Sequence, residues 1–132
     1  MNIRQLSAPV IIAALTLASP AAFAQMPETK LARNLSEATV NAVWCSALML
    51  EESYYYEEAS EDAIYWEDMA YDLGEDLDEV MGEAGLPMVE SEEIWAIFDS
   101  AAEDYAATDE DAYMAELEAC EDAYNGNKIK LR

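Results

Sequence analysis

Few side chains in this 132-residue chain can do chemistry, and histidine is not among them. Cys45 and Cys120 are the only cysteines, and carboxylates dominate the rest, with 29 Asp and Glu against 6 Lys and Arg. Catalysis by histidine and metal sites built on imidazole are therefore excluded. Paired carboxylates can do acid–base work, as in glycoside hydrolysis, but pairs arise by chance when acids are this dense, and no pair is singled out. No glycine-rich phosphate loop, nucleophile elbow or Cys-x-x-Cys-His haem motif is present. The reading is a non-enzyme without catalytic residues, cofactor or dedicated metal site.

The two cysteines favour a structural bond over a reactive thiol. Neither has a Lys or Arg close by in sequence to stabilise a thiolate, and they do not form a Cys-x-x-Cys pair. A Cys45–Cys120 disulfide would close a loop of about 75 residues, worth roughly 4–4.5 kcal/mol in the chain-entropy account. Such bonds persist in oxidising compartments.

The N-terminus points to that kind of compartment. Arg4 supplies a weakly positive start, Ala8 to Ala18 is an apolar run, and Ala22-Phe23-Ala24 is a small-x-small cleavage site. The run is too short for the roughly 20 residues that span a bilayer. Residues 1–24 are expected to be a signal peptide cleaved after Ala24. The mature protein would be periplasmic or secreted, with no membrane anchor after cleavage.

Charge is distributed unevenly. All acids but Glu28 lie between Asn34 and Asn127, a stretch with no Lys or Arg. The mature basic residues are Lys30, Arg33, Lys128, Lys130 and Arg132, outside that stretch. Nucleic acid is excluded as a partner, because phosphate binding needs a basic face. Along helices, Asp68/Asp72, Asp72/Asp76, Glu75/Glu79, Asp99/Glu103 and Glu118/Asp122 set like charges at i,i+4, each at a cost of a few tenths of a kcal/mol. Salt, divalent cations or a basic partner should relieve this repulsion.

Calcium is one such cation, but Asp72-Leu73-Gly74-Glu75-Asp76-Leu77-Asp78-Glu79 misplaces its glycine for an EF-hand loop and interrupts the acids with leucines. Asp109-Glu110-Asp111 fails in the same way. The candidate partner site is Tyr54-Tyr55-Tyr56, flanked by Glu51-Glu52 and Glu57-Glu58. Tyr54, pointing outward among Glu51, Glu52, Glu57 and Glu58, could grip a cation by ring face and charge. The alternative is that Tyr55 and Tyr56 sit at the core edge with wet hydroxyls, Tyr56 on the inward stripe.

The elements that carry these residues read as helices, so the fold class is all-α. Ala38, Ala42, Cys45, Met49 and Tyr56 form one stripe at helical spacing. Ala63, Trp66, Ala70, Leu73, Leu77, Val80 and Ala84 form a second. Ile94, Phe98, Ala101 and Tyr105 form a third, and Tyr113, Leu117, Cys120 and Tyr124 a fourth. Ser60 is expected to cap the second helix, breaking what would otherwise be one helix of about 70 Å, and Gly74 could kink it. Gly82, Gly85 and Pro87 end that helix, and Ser91 is the expected cap of the next. Thr108 with Asp111 resembles a capping box, and Asn125-Gly126 suits a helix end.

These elements make a small four-helix, bundle-like domain over residues 35–126, stapled by the disulfide from helix 1 to helix 4. A flexible tail, 25–34, precedes it and a basic tail, 127–132, follows. By size, export and the Trp44-Cys45 dipeptide, the chain resembles the small, helical, single-disulfide acid-stress chaperones of the bacterial periplasm. The resemblance covers no continuous motif and transfers no residue role. The favoured function is interaction with a basic protein or peptide. The alternatives are an acid- or stress-responsive periplasmic chaperone and a diffuse calcium binder.

Overall fold

A computed structural model describes residues 25–132, and the expected signal peptide lies outside the described residues. Four helices follow one another: α1 (Glu37–Ser53), α2 (Glu61–Glu83), α3 (Met88–Thr108) and α4 (Glu110–Asn125), after a 3-10 turn at Lys30–Ala32. Among the described residues there is no strand. The all-α, bundle-like expectation therefore holds, as does the staple. Cys45 on α1 and Cys120 on α4 are bonded with their Cα atoms 5.5 Å apart.

Helix α1 is the hub, packing against each of the other three. Every residue from Ala42 to Met49 is buried, so its apolar surface runs all the way round. The expected stripe on this helix is thus too narrow, because Val43, Trp44, Ala47 and Leu48 are as deeply buried as Cys45. Helix α2 is one-sided, with Ala63, Trp66, Ala70, Leu73, Leu77 and Val80 inside as their spacing predicts. Trp44 meets α3, stacked on Tyr105 and edge-on to Phe98, and its Nε1 donates to Glu116 on α4.

Helix ends follow local chemistry. Ser36 Oγ accepts from the amide of Thr39, and Ser60 Oγ from that of Ala63, so α2 starts where the sequence indicates. Gly74 does not break it. At its end the Leu86 amide donates to the Met81 carbonyl and the Gly85 amide to Gly82, a Schellman closure that needs the left-handed φ of +85° at Gly85.

Two caps differ from expectation. Helix α3 begins at Met88 with Pro87 as its N-cap residue, not at Ser91, whose amide already donates to the Pro87 carbonyl inside the first turn. Helix α4 is capped by Asp109, whose Oδ1 accepts from the Ala112 amide. Thr108 instead turns back and donates to the Asp104 carbonyl. Helix α1 stops at Ser53, so Tyr54 to Tyr56 continue as a turn rather than along an inward stripe. The connection then reaches Ser60 through Ala59, at φ +61°.

The segments expected as tails lie against the helices. Met26, Leu31, Ile129 and Leu131 pack partly buried on the core. The Thr39 hydroxyl donates to the Leu131 carbonyl, and Arg132 pairs with Glu83 at 2.8 Å. No described helix is long and apolar enough to cross a membrane.

Candidate functional site

A protein with this charge must satisfy its carboxylates without cations. Among the described residues the Arg132–Glu83 contact is the only salt bridge. Aromatic donors fill the gap. Glu116 accepts from Trp44 Nε1 and from the Tyr105 hydroxyl, both at 3.0 Å. Glu52 accepts from the hydroxyls of Tyr56 and Tyr113, both at 3.1 Å. Tyr55 donates to Glu51 at 2.9 Å, Tyr124 to Asp72 at 2.6 Å, and Trp95 Nε1 to Asp78 at 2.8 Å.

A phenol that donates to a carboxylate resists becoming an anion. Burial, followed by the bonded carboxylate, pushes Tyr55 and Tyr105 up to about 12. The hydrogen bond to Asp72, followed by burial, does the same for Tyr124. Tyr113, buried and facing Glu52, is raised further still.

This network divides the residues proposed from sequence. Glu52 is only 6% exposed and is committed to Tyr56 and Tyr113, so it is a structural acceptor and not a surface for a partner. Glu57 and Glu58 are exposed on the turn after α1, as is Tyr54 at 66%. Tyr55 and Tyr56 are exposed too, with their hydroxyls on Glu51 and Glu52. Glu51 is half-buried, and its carboxyl is raised, first by burial.

Beside Glu51 and Tyr54 a groove of about 450 Å³ opens between α1, α2 and α3. Its apolar lining comes from Leu50, Ala70 and Gly74, and its aromatic lining from Tyr71 and Trp95. Glu75, Asp78 and Asp99 supply three carboxylates. The Trp95–Asp78 bond ties the indole to α2 across the groove. Asp99 is half-buried yet receives no hydrogen bond or ion pair from the described residues. Its carboxyl is pushed up, first by burial and then by the charge of Glu51. Tyr54 is raised by burial first, then by Tyr71, Asp99, Glu51 and Glu67, the groups around this end of the groove.

Sequence reasoning placed none of Tyr71, Trp95 and Asp99 in a binding site: Trp95 reads there as a packing anchor and Asp99 only as half of a like-charge pair with Glu103. A signal was there: Tyr71, Glu75 and Asp78 share one face of α2, and Trp95 and Asp99 are an i,i+4 pair on α3. The acidic run from Asp72 to Glu79, considered above as a calcium loop, is helical. The helix splits its acids, sending Glu75 and Asp78 to the groove and Asp72 to Tyr124. Among the described residues no three Asp, Glu or Cys side chains converge as a metal site would require.

An apolar recess with aromatic sides and uncompensated carboxylates suits a cation that carries apolar surface. No protein-family model matches the chain, and no curated protein and no solved structure matches it.

Proposed function

We propose that this is an exported, non-enzymatic binding protein that holds a basic protein or peptide against its acidic helices. The observation that carries the reading is the poverty of internal cations. Within the acidic stretch one carboxylate, Glu83, meets an arginine, and this arginine comes from the C-terminal segment. The remaining negative field is free to attract and orient a positive partner. Export is supported by the leader-like N-terminus and by a disulfide of the kind that oxidising compartments sustain.

The test is binding of basic peptides measured across a salt series, with the triple variant Glu51→Gln, Glu57→Gln, Glu58→Gln beside the unaltered protein. Affinity should fall steeply with salt and weaken in the variant. Binding that ignores both would refute the reading.

An acid-responsive chaperone is the second reading. Met88 and Val89 are 78% and 68% exposed at the start of α3. Neutralising the neighbouring Glu90, Glu92 and Glu93 would leave this apolar tip without its solubilising charge. Suppression of client aggregation at low pH and not at neutral pH supports this reading, and equal inactivity at both pH values removes it.

A further inference from the structure

Resting on the basic-partner reading, we infer that the groove between α1, α2 and α3 is the seat for one arginine side chain of that partner. Three properties of the groove select arginine. Its aromatic sides, Tyr71 and Trp95, suit a flat, weakly hydrated cation that stacks, which a guanidinium does better than an ammonium. Its carboxylates, Asp78 and Asp99, stand on different helices, and a planar fork of N–H donors can address both. Its apolar lining, with Leu50, matches the three-carbon stem that leads to the guanidinium. At about 450 Å³ the space exceeds one arginine side chain, leaving room for the flanking backbone.

The groove is also prepared for this guest. Trp95 is held by its bond to Asp78, so the indole loses little freedom on binding. Asp99 is already half-buried and has no cation from the described residues, so a guanidinium there supplies a partner rather than displacing one. Gly74 keeps the space open. A Cβ added there would meet only Ser46 Oγ, at 3.9 Å, so the first carbon of a side chain enters without a clash.

That glycine provides the test. The oxidised protein is titrated calorimetrically with tetra-arginine, tetra-lysine and tetra-citrulline amides at about 150 mM NaCl, where surface attraction is screened beyond roughly 8 Å. The unaltered protein should bind the arginine peptide at least about 5-fold more tightly than the lysine peptide, and the citrulline peptide not at all. Gly74→Leu, which fills the groove and removes no charge, should weaken the arginine peptide by about 10-fold or more and erase its advantage over lysine. Asp99→Asn should erase the same preference with no change of volume, and it carries the test if Gly74→Leu fails to give a native circular dichroism spectrum. Equal affinity for arginine and lysine peptides, or an arginine preference that survives both variants, overturns the groove and leaves the basic-partner reading standing. No binding of any cationic peptide overturns the basic-partner reading itself, and the groove with it.

Discussion

The hydroxyl of Tyr113 on α4 lies 3.1 Å from Glu52 Oε2 on α1, with both side chains buried. The same hydroxyl is 3.1 Å from the Leu48 carbonyl. A buried carboxylate without a cation is tolerable only when donors surround it, and here the donors are phenols. Glu116 repeats the device with Trp44 and Tyr105.

Removing the inner donor should expose this dependence. Tyr113→Phe should lower stability by about 1.5–3 kcal/mol, the range for a hydrogen bond to a charged group. Tyr56→Phe acts on the solvent side of the same carboxylate and should cost less than about 1 kcal/mol. Urea unfolding of the two variants distinguishes them, and equal losses would contradict the assignment of Glu52 as an interior acceptor.

Loss of the Cys45–Cys120 bond, whose partners are 75 residues apart, should cost roughly 4.5 kcal/mol by loop entropy. Small domains hold about 5–15 kcal/mol in total, so the doubly substituted Cys45→Ala, Cys120→Ala protein should be marginal at ambient temperature. Its urea midpoint, compared with that of the oxidised protein, checks this.

Alkaline pH should unfold the protein through its tyrosines. Tyr55, Tyr105 and Tyr124 are raised from the ordinary 10 to about 12. A raised folded-state pKa gives stability that is complete below pH 10 and lost as pH rises through about 12. Tyrosinate absorbance should lag behind that of free tyrosine in the folded protein and jump on unfolding in that window. A titration centred on 10 with no lag would remove the phenol–carboxylate bonds from the account.

Mild acid should have the opposite effect. Glu51 and Asp99 are raised above the ordinary 4.5 and 3.8. The stability they contribute is absent at neutral pH, grows as pH falls through their raised values, and is complete below the ordinary ones. The melting temperature should therefore rise as pH falls from 7 toward the ordinary carboxylate range, where the repulsion between Glu51 and Asp99 is removed. A fall over that interval would reverse the sign.

Salt should also raise the melting temperature, by screening the same repulsion. At matched ionic strength sodium and calcium should act equally, since no described trio of ligating side chains converges. A much larger shift in calcium would show that the acids form organised cation sites.

Much of the fold was legible because its signals are short-range. Helix α2 could be read from a 3-4 apolar spacing between a serine cap and a glycine closure, and both lie within a turn of the residues they govern. With two cysteines there is one possible internal pairing, and their places on the first and last helices followed from the stripes around them. The misplaced caps at Ser91 and Thr108 are local as well. Helix α3 starts a turn before Ser91, behind Pro87, which makes no side-chain cap bond, while at α4 the adjacent Asp109 supplies the capping oxygen.

The sequence by itself determined helices, their main breaks, the staple and a field of negative charge without internal counterions. Only the tertiary structure decided which acids that field leaves free. Enclosure by three helices buried every face of α1, and so turned Glu52, four residues from Tyr56, from a surface acid into an interior acceptor for Tyr113, which is 61 residues away. The same packing set Trp95 and Asp99 of α3 opposite Tyr71 and Asp78 of α2. Helical periodicity acts over a few residues and reports which side chains share a face. Which faces then meet depends on how the helices close on one another, and no local spacing encodes that distance.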